Sequence, residues 1–354
     1  MTRMNRRVPL PTLGPEPRPS RAPKILIFLL VVGAAFGWWW WRRHRAPIVA
    51  EPRTATAPSP TAASPVPAEP APAKAAAASP APPDPLKQSG LQKVSVTLQG
   101  PLETALVENL GADLGQTLAQ VVSRTLVWWV PVPGGLIRGD KLDVLFETRP
   151  NEEPIVHAVS FSSAKRGQSY AAYRFKAPGA QFARYYLPSG EELELRLQDA
   201  PLDEYEQVTS MMRDGRRHKG VDFKTPVGSK VRATFDGVVT RKNWHFRANG
   251  NCLEVTENGG NHRRALFLHL SELPKSLHVG LAVKKGEVIA SSGNSGHSFA
   301  PHLHYQLMLG EMHVLDPFTS QATYRRSLPA TAKPAFDAET RRLDALLVVA
   351  VAGK

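Results

Sequence analysis

One cysteine, Cys252, stands in a chain of 354 residues. It excludes an intramolecular disulfide and leaves no cysteine framework from which to read a compartment. Also missing is a basic helix or a basic patch interleaved with aromatics. The net charge of +13 therefore suits an anionic surface, whether lipid headgroups or an acidic polymer, without favouring nucleic acid. Proline is not scarce, but it is uneven: 12 of the 32 prolines fall within residues 46–86. A hydrophobic content of 42% is ample for a core. The length leaves room for about two folded domains.

Residues 1–24 are rich in Pro and Arg and read as an N-terminal tail. Ile25 to Trp41 is an uninterrupted apolar run ending in four tryptophans, the short end of a membrane-spanning helix with aromatics suited to the headgroup interface. Six Lys/Arg precede it and three follow at once, which favours a cytoplasmic N-terminus. A cleaved signal peptide ending near Val49-Ala50 is the competing reading. The arginines and tryptophans between the run and that point favour an uncleaved single-pass anchor. Residues 42–90, mostly Ala, Pro, Ser, Thr and Glu, cannot bury a core and read as a disordered linker. In the polyproline conformation, at ~3.1 Å per residue, its proline-rich part would reach on the order of 120 Å.

Ordered patterning returns at Leu91. Leucines at helical spacing predict two short helices broken near Gly111, and strands are expected at Lys141–Glu147, Ile155–Ser162, Tyr170–Phe175 and Leu193–Leu197. Residues 91–205 thus read as a small α+β domain; its one histidine, His157, carries no constellation. From about residue 206 the texture is all-β. Strands are expected at Lys230–Phe235, Val238–Lys242, Leu253–Glu257, Ala265–Leu270 and Val283–Ala290, with turns at Asp236-Gly237 and Asn258–Asn261. Residues 323–354 form a Pro-broken tail, helical from Asp337 to Val349.

Three histidine-bearing pieces lie in this β unit. His218-Lys219-Gly220-Val221-Asp222 spaces a histidine and an aspartate by four. Gly220 and the following Thr225-Pro226-Val227-Gly228 argue for a loop entering a strand rather than a helix face. In Leu266–Leu270, alternation sets His269 opposite the leucines. In His302-Leu303-His304, alternation sends both imidazoles to one face, with Leu303, Tyr305, Leu307 and Leu309 on the other. Alone, each piece reads equally well as a half-buried strand or loop with a polar face. Together they offer five side chains to one metal. Two imidazoles and a carboxylate leave a tetrahedral zinc one open position, and two histidines remain for proton transfer and oxyanion stabilisation.

H-x3-D, then H-L-S, then G-N-S-G-x-S-x-x-P-H-L-H-Y resembles the lysostaphin/LytM family of zinc metalloendopeptidases, over roughly Val208 to Phe318. The resemblance implies an antiparallel β catalytic domain with a groove, over residues 206–322. It implies Zn²⁺ held by His218, Asp222 and His304, with His269 and His302 as the catalytic pair, and it suggests Asn294 and His297 as substrate contacts. The anchor, spacer and preceding domain are similar to the membrane-anchored cross-link endopeptidases of Gram-negative bacteria. That likeness implies stem peptides and cross-links of peptidoglycan as substrate. It also implies an inner-membrane protein with its C-terminal domains in the periplasm. The sequence departs from the family where Phe267 replaces a frequent tyrosine, where Ser298-Phe299-Ala300 replaces Ser-Thr-Gly, and where Gln306 replaces a frequent glutamate. A second reading, a LytM-like adaptor that activates a cell-wall amidase, would ordinarily have lost several of the five residues. A zinc-stabilised wall-binding module without turnover is a third.

Overall fold

The computed structural model describes residues 85–349, apart from residues 213, 215–217 and 261. The expected tail 1–24, the apolar run 25–41 and all but the last few residues of the linker 42–90 lie outside the described residues. Among those described, no helix is long and apolar enough to cross a membrane.

The chain passes through α1 (Pro85–Ser89), β1 (Gln92–Thr97), α2 (Leu102–Leu110), α3 (Ala112–Leu126), β2 (Lys141–Glu147), β3 (Ile155–Ser163), β4 (Gln168–Phe175) and β5 (Arg184–Tyr186). The five strands form one sheet in chain order, every pair antiparallel. The helices break at Gly111, where the leucine pattern also breaks. Their apolar stripes place Leu106, Leu118 and Val122, all fully buried, against Leu142, Val144 and Phe161 on one face of the sheet. Pleating sends Leu145 and Ala158 to the other face.

Next come β6 (Arg196–Leu197), β7 (Gln207–Ser210), β8 (Val221–Lys224), β9 (Lys230–Arg232), β10 (Gly237–Lys242), α4 (Phe246–Asn249), β11 (Asn251–Glu257), β12 (Arg263–Leu270), β13 (Ala282–Val283) and β14 (Val288–Ser291). They are followed by β15 (His302–Leu309), β16 (His313–Leu315), α5 (Pro317–Ser320), β17 (Thr323–Tyr324) and α6 (Lys333–Val348). The large sheet runs in the order β13-β10-β11-β12-β15-β8-β7, with β16 also on β15. The β9–β14 ribbon brings Val231 and Ile289 into a core with Val221, Phe223, Phe267, Leu303 and Tyr305. One face of the large sheet is therefore sealed, and the other is left to the histidines.

Two expected strands are shorter than the alternation suggested: of Leu193–Leu197 only β6 pairs, and Lys230–Phe235 ends at Arg232. The expected strand Val283–Ala290 is two strands of different sheets, β13 on β10 and β14 on β9. Side chains turn the chain between them. The Lys285 N–H donates to Asp236 Oδ1 at 2.8 Å, and the Lys284 N–H donates to Glu287 Oε2 at 2.9 Å.

The segment expected as a C-terminal tail returns to the first sheet. Its helix α6 lays Phe336, Leu343 and Leu346 on the face that carries Leu145, Ala158 and Tyr173. Trp128, just past α3, packs into both the first and the second core, its ring edge-on to Phe318 at 5.2 Å. Beside this junction lies a buried ionic cluster, in which Arg196 Nε donates to Glu192 Oε2 at 2.6 Å and Arg184 Nη2 to Glu204 Oε2 at 2.8 Å.

Candidate active site

The site is built on three neighbouring strands. β15 lies between β12 and β8, and the register sets His304 directly opposite Asp222 on one side and Leu268 on the other. His218 sits in the loop that enters β8, as Gly220 implied, and that loop runs tight against β15. A Cβ on Gly220 would lie 2.5 Å from the Tyr305 carbonyl oxygen and 2.7 Å from His304 Nε2. Only a residue without a side chain lets His218 and His304 converge here.

His218 Nε2 lies 3.0 Å from His304 Nδ1 and 3.2 Å from Asp222 Oδ1, and His304 Nδ1 is 2.9 Å from the same carboxylate oxygen. Three acceptor-capable atoms thus face one another across a common point. A single proton can bridge only one of these pairs, whereas a cation at their centre satisfies all three. Tetrahedral zinc with N/O ligands at about 2.0–2.1 Å sets its donor atoms roughly 3.3 Å apart, close to the spacing found here. The residues fit the metal. Burial of Asp222 alone would raise its pKa, but hydrogen bonds from His218 and His304 outweigh that and hold the carboxyl well below its ordinary value. For His218, burial pulls the pKa down, and the Asp222 carboxylate more than offsets it, leaving the pKa raised.

His269 reaches this point by an irregularity. Phe267 packs on Tyr305 in the core, with ring centroids 5.6 Å apart, so strict alternation would bury His269 beside it. Opposite, β11 advances from Asn251 to Leu253 while β12 advances from Leu270 to Phe267, so β12 carries one extra residue. That bulge places His269 in the left-handed region at φ 61° and turns its ring to the histidine face. The ring centroids of His269 and His302 then stand 4.8 Å apart. His269 Nδ1 donates to the Ser295 carbonyl at 2.9 Å, and His302 Nδ1 to the Ala300 carbonyl at 2.8 Å. In each neutral ring this leaves Nε2 without a proton. Burial pushes the His269 pKa down to about 4, so this ring is neutral at ordinary pH.

The structure thus gathers all five motif residues. Of the two suggested substrate contacts, Asn294 is exposed and its Oδ1 accepts from Ser298 Oγ at 2.6 Å. His297 is exposed and packs edge-on to Phe299 at 5.2 Å. Both stand on the loop leading to His302. The remaining histidines of this unit, His245, His262, His278 and His313, are exposed. Sequence reasoning assigned no role to Ser295. Its carbonyl holds His269, while its hydroxyl donates to the Leu270 carbonyl at 2.6 Å and accepts from the Asn251 N–H at 2.9 Å. Nor did it find Ser210, whose Oγ lies 2.8 Å from His218 Nδ1.

Two imidazoles and a carboxylate beside a second pair of imidazoles, at one face of an antiparallel sheet, define a zinc-peptidase type of centre. Residues 216–317 match the family model described as Peptidase family M23, and this part of the chain is an M23 peptidase domain. Over 95 residues the chain is 43% identical to the glycyl-glycine endopeptidase ALE-1 of Staphylococcus capitis, covering 27% of this chain and 25% of that protein. Over 253 residues it is 30% identical to the peptidoglycan DD-endopeptidase ShyB of Vibrio cholerae, covering 66% of this chain and 56% of that one. The solved structure of a zinc-containing peptidase from Vibrio cholerae is 25% identical, with a TM-score of 0.30, over 68% of this chain and 72% of that chain. The chain thus spans little more than half the length of ShyB and a quarter of ALE-1.

Proposed function

We propose that the protein is a zinc-dependent endopeptidase that hydrolyses peptide cross-links of bacterial peptidoglycan. The observation that carries this reading is the pairing of His269 and His302 beside the His218–Asp222–His304 donor set, both rings locked by backbone carbonyls in the same tautomer. Zinc held by His218 Nε2, Asp222 Oδ1 and His304 Nδ1 would supply Lewis acidity to a peptide carbonyl and to a water beside it. The chain's own part is proton handling. A bare Nε2 on His269 or His302 takes a proton from the attacking water, and the resulting N–H serves the developing oxyanion or the departing amine. The Ser295 and Ala300 carbonyls keep each ring from turning its protonated nitrogen inward.

The names of ALE-1 and ShyB support a peptidoglycan peptide as substrate. The exposed loop of Asn294, His297 and Phe299 leads to His302, where a bound peptide would meet it. The apolar run 25–41, its flanking charges and the Pro/Ala-rich linker support an inner-membrane anchor with the folded region in the periplasm. The amidase-activating adaptor is disfavoured because all five residues are present and assembled.

The test is digestion of purified, cross-linked peptidoglycan, with products read by mass. Zinc-loaded protein should convert cross-linked dimers to monomers, whereas chelated protein and His304→Ala should not. His302→Ala should lose about 10²–10⁴-fold in rate while keeping near one zinc per chain. Zinc-loaded, folded wild type that leaves every dimer intact would rule the proposal out.

A further inference from the structure

Ser210, the last residue of β7, is buried at 6% exposure and sits behind the donor set. On the side away from the metal point its Oγ lies 2.6 Å from Asp214 Oδ2 and 2.8 Å from His218 Nδ1. The hydroxyl has one proton to give. An ionised carboxylate only accepts, so that proton points at Asp214. The Ser210 lone pair then faces His218 and must receive a proton from Nδ1. The opposite arrangement would give the hydroxyl proton to His218 and leave oxygen lone pairs opposed at 2.6 Å. It would also move the ring's own proton to Nε2, in among Asp222 and His304.

Resting on the metal-centre reading, we propose that Asp214, acting through Ser210, is a positioning residue that selects the metal-binding tautomer of His218. The chain is His218 Nδ1–H to Ser210 Oγ–H to Asp214 Oδ2, and its product is a bare Nε2 aimed at Asp222 and His304. Neither residue touches the metal point. His269 and His302 obtain the same tautomer from neutral backbone carbonyls. His218 also has a backbone partner, Met211, but it alone adds a hydroxyl backed by a negative charge, which makes Nε2 a stronger donor to a cation. The spacing Ser210-x3-Asp214-x3-His218-x3-Asp222 lets one loop supply both the ligand and its orientation.

A purely structural role for this pair, tying down the loop before β8, predicts something different, and zinc affinity separates the two. Full-length wild type, Asp214→Asn, Ser210→Ala and Ser210→Thr would be titrated with Zn²⁺ against a chromophoric chelator, and each metal-free form would be melted. The relay predicts that Asp214→Asn and Ser210→Ala bind Zn²⁺ about 10–100-fold more weakly, with metal-free melting close to wild type. Ser210→Thr, which keeps the hydroxyl, should stay within about threefold of wild type. Wild-type affinity in both Asp214→Asn and Ser210→Ala overturns the proposal. So does a weakening that merely tracks a fall in metal-free melting temperature. If Ser210→Ala does not fold, Asp214→Asn, at a more accessible position, decides alone. A wild type that takes up no Zn²⁺ sinks the metal centre and the relay with it, whereas a wild type that binds and variants that bind equally sink only the relay.

Discussion

Phe267 and His269, two residues apart on one strand, face opposite sides of the sheet. The extra residue in β12 and the left-handed backbone at φ 61° send one ring into the core and the other to the histidine face. The strain sits on the residue proposed to move a proton, where function overrides local preference.

That strain predicts an ordering of variants. A left-handed conformation costs a residue with a Cβ about 1 kcal/mol that glycine does not bear. His269→Gly should therefore be more stable than His269→Ala by about 1 kcal/mol in urea unfolding, although both lose hydrolysis. Equal stabilities would mean that the bulge relaxes when the imidazole is removed.

Gly220→Ala should damage the metal centre without altering a ligand. The new methyl would meet the Tyr305 carbonyl at 2.5 Å and His304 Nε2 at 2.7 Å, so the ring or the loop must shift. Zinc affinity, read by competition with a chelator, should fall by at least ~10-fold, as when the surroundings of a ligand are disturbed.

Glu194 sets a pH dependence at the junction. Burial raises its pKa to about 8 despite Arg184, Arg196 and the Val208 N–H that oppose the shift. The folded state thus holds a proton that the unfolded chain releases near its ordinary value of 4.5. Stability from this group is complete below that value and is lost as pH rises through about 8. Urea midpoints of wild type should fall between pH 6 and pH 9 more than those of Glu194→Gln, which has no proton to lose. Parallel falls in the two proteins would remove Glu194 as the cause.

Truncation after residue 332 should uncover the sheet face that carries Leu145, Ala158 and Tyr173. Phe336, Leu343 and Leu346 are buried there at 0%, 0% and 6% exposure. At roughly 1.5–3 kcal/mol for each large apolar side chain, the loss is about 5–9 kcal/mol. Proteolysis of the truncated chain should begin within residues 91–186 while residues 216–317 resist. Even resistance across both regions would show that α6 contributes little.

That the five motif residues would converge was legible because their motifs rest on local spacing: a loop glycine, a four-residue step and a two-residue step on a strand. The helices meeting at Gly111 and strands β2 to β4 were legible for the same reason. What stayed hidden depends on partners far along the chain. Nothing in Leu266–Leu270 announces that His269 leaves the alternation, because the bulge exists only against Asn251–Leu253 of another strand. Val283–Ala290 alternates like one strand, and Asp236, some fifty residues earlier, joins Glu287 in turning it into two. Ser210 gains its contact with His218 only once β7 has docked on β8.

The helix that follows the M23 domain completes the fold that precedes it. The β1–β5 sheet takes one helical cover from residues 102–126 and the other from residues 333–348, with the whole peptidase threaded between. A chain emerging from its N-terminus must therefore extrude the M23 domain before its first domain can close. Maturation of the two is coupled in time, and the peptidase stays tethered at both of its ends to one sheet. Any swing between them must bend two connections at once.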